Sequence, residues 1–155
     1  MRVTRRGDRV VFYLQNVEAE RFQAMLACYP CIPPGHHRLS RTASGSVAAE
    51  NQTLLDEALA SQREELRRRL TAFLADPERC KQLKQSWRMI LSPGDADWLL
   101  RVLNDIHVGC WIRLGSPDFE AGVRVKVNGE TIPHLWAMEL SGDFEAVLIR
   151  ALTRG

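Results

Sequence analysis

Residues 98–115 read WLLRVLNDIHVGCWIRLG, and the fold is decided there more than anywhere else in the chain. Ser92-Pro93-Gly94-Asp95 supplies a helix start and Gly115-Ser116-Pro117 a stop, so the spacing predicts about five helical turns. At about 100° per residue, Leu99, Val102, Leu103, Ile106, Cys110 and Leu114 form one stripe, flanked by Leu100, His107 and Trp111. The strip suited to water centres on Arg101, Asn104 and Asp105, and even that strip includes Val108 and Ile112. A helix apolar over most of its circumference belongs in the middle of a bundle, touched from several sides.

The flanks supply the remaining elements. Residues 2–6 and 10–14 bracket Gly7-Asp8, and the second run is β-branched and aromatic, which predicts a β-hairpin over 2–14. Asn16 offers a helix cap, Glu18 and Glu20 suit the positive end of the helix, and Phe22, Met25 and Leu26 give it an apolar face. Residues 29–50 carry Pro30, Pro33, Pro34, Gly35, Ser40, Ser44, Gly45 and Ser46, and a connection of that length and composition is expected to be mobile. A long helix then runs to Ala75 with Leu55, Leu59, Leu66, Leu70 and Phe73 on one stripe. Asp76-Pro77 reads as a stop and a restart, the next helix burying Cys80, Leu83, Trp87 and Ile90.

Beyond residue 115, Val123, Val125 and Val127 alternate with Arg124, Lys126 and Asn128. With the type I′ chemistry of Asn128-Gly129, that alternation predicts a second short hairpin over 123–132. The last helix starts near residues 131–133 and reads as one helix with a weak point at Ser141-Gly142, a break there being the alternative; continued through, it places Trp136, Leu140, Phe144, Val147 and Ala151 on one stripe. The fold class expected is therefore α+β and predominantly α-helical. It is a bundle of about five helices around the apolar 98–114 helix, with an N-terminal β-hairpin and a second hairpin, in one domain covering residues 1–155.

Composition narrows the partners. Lys and Arg number 21 and Asp and Glu 19, so no whole-chain field recruits nucleic acid, and a nucleic-acid partner is not expected. No run approaches the length of a membrane span. Four Cys without a secretory leader read as reduced, cytoplasmic thiols. Val108, Ile112 and Leu74 are apolar residues to spare and fit a twofold homodimer.

Cys28-Tyr29-Pro30-Cys31 is the sharpest chemical pattern. A C-x-x-C is a redox candidate, and with His36 or His37 it offers three metal ligands. Cys28 falls at a helix C-terminus, where the dipole disfavours the thiolate. A structural zinc site wants a second ligand pair, whereas Cys80 and Cys110 sit singly on apolar faces as core residues. No metal and no cofactor are therefore expected, and Cys28, Cys31, His36 and His37 are the residues that would bear on either. His107 and Cys110, three apart, read as a hydrogen-bonded core histidine beside a core thiol. Asn104, Asp105 and Arg113 are polar groups on a largely buried helix and read as a clasp between elements, since burial compels pairing. Arg63 with Arg67-Arg68-Arg69 is diluted by Glu64, Glu65 and Asp56 and reads as a solvated face. No phosphate loop, catalytic carboxylate pair or nucleophile–base set is visible, so no catalytic residue is assigned and no enzyme is expected.

Arg5-Arg6-Gly7-Asp8 with the strand after it, Trp98-Leu99, Leu103-Asn104-Asp105, Arg113-Leu114-Gly115 and the closing 135–152 helix together resemble an uncharacterised bacterial domain-of-unknown-function family, often encoded beside the adaptor of the Clp protease. The chain departs from that pattern in its valine-rich 122–132 segment, where the family carries an acidic, variable link. The resemblance implies a cytoplasmic, mostly helical regulatory protein with no established catalytic residues. The function expected is a non-enzymatic protein-interaction role with a protein partner, linked to regulated proteolysis. The alternative is a thiol-responsive regulator acting on the transcription machinery through Cys28 and Cys31.

Overall fold

A computed structural model describes residues 1–37 and 46–153. The elements are β1 (Arg2–Arg6), β2 (Arg9–Gln15), α1 (Asn16–Leu26), α2 (Ser46–Ala75), β3 (Cys80–Gln82), β4 (Ser86–Leu91), α3 (Pro93–Arg113) and α4 (Ile132–Thr153). The protein is α+β. Four strands form one antiparallel sheet in the order β1-β2-β4-β3.

The sheet is built on alternation. Val10, Phe12 and Leu14 of β2 stand opposite Leu91, Met89 and Trp87 of β4, and all six are buried. Each such side chain contributes about 1.5–3 kcal/mol by leaving water. The helices cover this inner face. Phe22 of α1 packs on Trp87 and on Phe144 of α4, which also meets Phe12. α3 touches α1, α2, α4, β2 and β4, and its residues Leu99, Val102, Leu103, Ile106 and Cys110 are buried. α4 runs unbroken through Ser141-Gly142. Gly142 faces the His107 ring at a distance where a Cβ would press on it at 3.2 Å, and His107 Nδ1 lies 2.9 Å from the Met138 carbonyl.

Two expected elements are corrected. Residues 77–90 do not form a helix. Asp76 starts one, its carbonyl accepting from Arg79 and Cys80 N–H, but the chain turns after a single turn and runs out as β3 and β4. Trp87, Met89 and Leu91 alternate as well as Cys80, Leu83, Trp87 and Ile90 repeat. The exposed edge of β2 decides between the two periods by offering a ladder. The hairpin over 123–132 is also absent: residues 123–127 have no regular structure and no partner strand, and Val123 and Val127 are exposed. Asn128 serves the next helix instead, its Oδ1 accepting from Glu130 and Thr131 N–H. The helices are therefore four, laid on a sheet, where about five in a bundle were expected.

Of the 29–50 segment expected to be mobile, residues 38–45 lie outside the described residues, 46–50 open α2, and 30–32 are held on α3 as described below. Among the described residues, no helix is long and apolar enough to cross a membrane.

Candidate functional site

One stripe of α3 organises the chemistry. Asp105, Gly109 and Arg113 recur at four-residue spacing and so share a face. The chain leaving α1 lies directly on that face. Asp105, 8% exposed, accepts the Cys31 N–H at 2.6 Å and the Ile32 N–H at 3.3 Å. Arg113 Nε donates to the Cys31 carbonyl at 3.5 Å. Between them Gly109 permits the approach: a Cβ there would stand 2.4 Å from both the carbonyl carbon and the Cβ of Cys31. Sequence reading passed over Gly109. The signal was available, since a glycine inside an apolar helix costs about 1 kcal/mol against alanine and marks a close backbone approach.

This contact brings Cys31 to Cys110, the residue after Gly109. Both are buried, and each thiol shifts the titration of the other. The Cys31 thiol lowers the pKa of Cys110, while that same pairing and burial push Cys31 far up. Cys28 is exposed, its Sγ 3.6 Å from the Ala24 carbonyl, and burial of part of its surface raises its pKa, with the Cys31 thiol adding to the effect. Cys31 Sγ also donates to the Cys28 carbonyl at 3.0 Å. Cys80, buried apart from these three, is pushed up to about 12 by burial. All four cysteines are free thiols.

The other candidates disperse. Asn104 is exposed and takes no part in the contact. Arg113, read as part of a clasp between elements, is exposed, and its partner is the Cys31 carbonyl. His36 and His37 are exposed and stack edge-to-face on each other at 5.4 Å. Among the described residues no three His, Cys, Asp or Glu side chains converge as a metal requires.

A cleft of about 430 Å³ opens beside the contact, between residues 30–37 and α2. Its floor is apolar, with Pro30, Ile32, Pro34, Leu59 and Ala60. Its rim carries Arg63, Arg67 and Arg113 against Asp56 and Glu64. Two of these cations have carboxylates in reach. Arg67 bonds Glu64 at 3.1 Å, and Arg63 lies 3.9 Å from Asp105. Arg113 has no carboxylate within ion-pair distance among the described residues. Tyr29, buried behind the wall, is pushed up to about 12 by burial and by the Asp105 charge, and its hydroxyl sits 3.5 Å from the Arg63 carbonyl.

No protein-family profile, no curated protein and no solved structure matches the chain.

Proposed function

We propose that the chain is a non-enzymatic regulatory protein that holds a protein partner by a short apolar segment bearing a carboxylate, seated in the cleft between residues 30–37 and α2. The observation that supports it is Arg113, a cation on the rim of an apolar cleft with no carboxylate in reach among the described residues. A cleft of about 430 Å³ takes two or three side chains, and one fixed guanidinium orients the carboxylate that follows them. α3 organises the cleft, because Asp105, Gly109 and Arg113 hold its wall. The resemblance directs the first partners to test toward regulated proteolysis in the cytoplasm.

The test is anisotropy of labelled apolar peptides with and without a terminal carboxylate. Arg113→Gln should weaken the carboxylate peptide roughly tenfold or more and leave its amidated twin unchanged. Equal affinity of wild type and variant for the carboxylate peptide overturns the reading.

A second reading, a thiol-responsive regulator of the transcription machinery, gains from the contact between Cys31 and Cys110. It moves the couple from Cys28–Cys31 to Cys31–Cys110. A hydroperoxide would take two electrons and two protons from the two thiols, forming one S–S bond and leaving as an alcohol and water. Mass mapping after mild peroxide treatment should then find Cys31 joined to Cys110, with Cys28 still open to alkylation. A Cys28–Cys31 bridge, or no bridge, ends this version.

A further inference from the structure

The solvent side of the sheet carries a charge distribution that the near-neutral composition conceals. Side chains alternate across a strand. With Val10, Phe12 and Leu14 turned to the helices, the register turns Arg2 and Arg6 of β1, Arg9 and Tyr13 of β2, Arg88 of β4 and Lys81 of β3 to the opposite face. Five of these six are cations; Thr4, Val11, Gln15, Ser86 and Ile90 share the face, and none of its strand residues is a carboxylate. Arg2, Tyr13, Arg88 and Lys81 fall in one row across all four strands, about 14 Å long at ordinary strand spacing. Arg6 and Arg9 pair at the far end of the hairpin.

The face is open. Arg2, Arg6, Arg9 and Lys81 are exposed, and Tyr13 and Arg88 partly so. None of the five cations has a carboxylate within ion-pair distance among the described residues. Arg88 Nε is buried with no hydrogen-bond partner, a donor left without an acceptor. Arg2 lies over the Tyr13 ring, 4.5 Å from its centre. The acids beside the hairpin do not neutralise it: Glu18 is engaged by the chain's amino group and the Gln15 N–H, and Asp8 sits at the turn.

We propose that this face binds single-stranded nucleic acid, with phosphates on Arg2, Arg6, Arg9, Lys81 and Arg88 and bases stacked on Tyr13 and on the planar Arg2 guanidinium. Like charges set side by side on a sheet repel one another and are costly unless a polyanion meets them. An aromatic ring among cations matches the alternation of base and phosphate along a single strand. A four-stranded sheet surface of this width seats about two or three bases. A membrane surface fits less well, because Val11 is buried and Ile90, its partner on this face, is only partly exposed, so neither protrudes as an apolar anchor.

The test is anisotropy of fluorescein-labelled oligouridine and oligothymidine of about twelve nucleotides on the full chain. Five phosphate contacts predict a log–log salt slope of about −3.5, hence roughly a hundredfold loss between about 50 and 200 mM salt. The triple variant R6E/R9E/K81E should lose at least roughly a hundredfold, and R101E/R124E/K126E, with the same change in net charge, should stay within about threefold. Should the first triple variant fail to fold, Lys81→Glu alone should lose about fivefold. Tyr13→Leu should weaken binding with the salt slope unchanged. Equal losses in the two triple variants overturn the proposal. So does binding to vesicles of anionic phospholipid without binding to either oligonucleotide.

Discussion

Asp95 and Asp105 lie on the same helix, both buried, at 3% and 8% exposure, and their charges are met in different ways. Asp95 is surrounded by side chains and by its own cap. Its carboxylate accepts from the Ser92 hydroxyl at 2.6 Å, the Ser92 N–H at 3.1 Å, the Trp98 indole at 3.2 Å and Arg79 at 2.8 Å. These partners belong to α3, to its cap and to the turn before β3, so the carboxylate ties regular elements together. Asp105 instead accepts from two backbone amides of a segment with no regular structure, and its nearest cation stands 3.9 Å away. The first carboxylate is part of the frame. The second is a latch on the wall of the cleft, and its release need not unfold anything else.

The largest expected effect tests the frame. Asp95→Ala removes the carboxylate half of the capping box with Ser92 and strands the Trp98 and Arg79 donors, so unfolding in urea should show a loss of about 3 kcal/mol. The effect has a pH signature. Burial opposes the Asp95 charge, but the Ser92 hydroxyl and N–H, the Trp98 indole and Arg79 outweigh it and hold the pKa below the ordinary aspartate value. A depressed folded pKa contributes stability that is complete above the unfolded value of about 3.9 and is lost as pH falls from there through the folded value. The gap between wild type and variant should therefore be constant near neutrality and close in acid. A gap that stays the same down to complete acid unfolding contradicts this account.

A smaller effect tests the latch. Asp105→Ala should cost about 1–2 kcal/mol globally while hydrogen exchange at the Cys31 and Ile32 amides rises roughly tenfold or more, with α3 itself protected. If the whole of α3 exchanges faster together with the segment, Asp105 belongs to the frame and the contrast with Asp95 fails.

The difference between the two carboxylates also marks how far sequence reading reaches. Ser92 and Asp95 are three apart, so the cap is local, and the start of α3 was legible from four residues. The hairpin over 2–14, the end of α2 at Ala75 and the continuity of α4 through Ser141-Gly142 were legible for the same reason: propensity, cap and period agree within a few turns. Asp105 meets residues 73 and 74 positions away in sequence, and no local rule supplies that partner. Cys110 reads as a solitary core thiol until the chain after α1 lands on Gly109. Residues 77–91 failed differently, since two periods fit them and the choice lay with β2, far upstream. Asn128-Gly129 makes no type I′ turn, since neither residue has a positive φ, and Asn128 Oδ1 serves a helix start instead. The basic face of the sheet was invisible because net charge sums over a surface whose cations the register then sorts to one side.

The two borders of the sheet have a consequence of their own. An uncovered outermost strand invites another chain to extend the ladder, the usual first step toward uncontrolled stacking. Here one border, β3, is three residues long, and the other, β1, carries Arg2, Arg5 and Arg6 in five positions. A second molecule approaching β1 side by side would bring like charges together, and at β3 it would find too short a template. Both borders of the sheet are thus poor templates for a second copy of the chain.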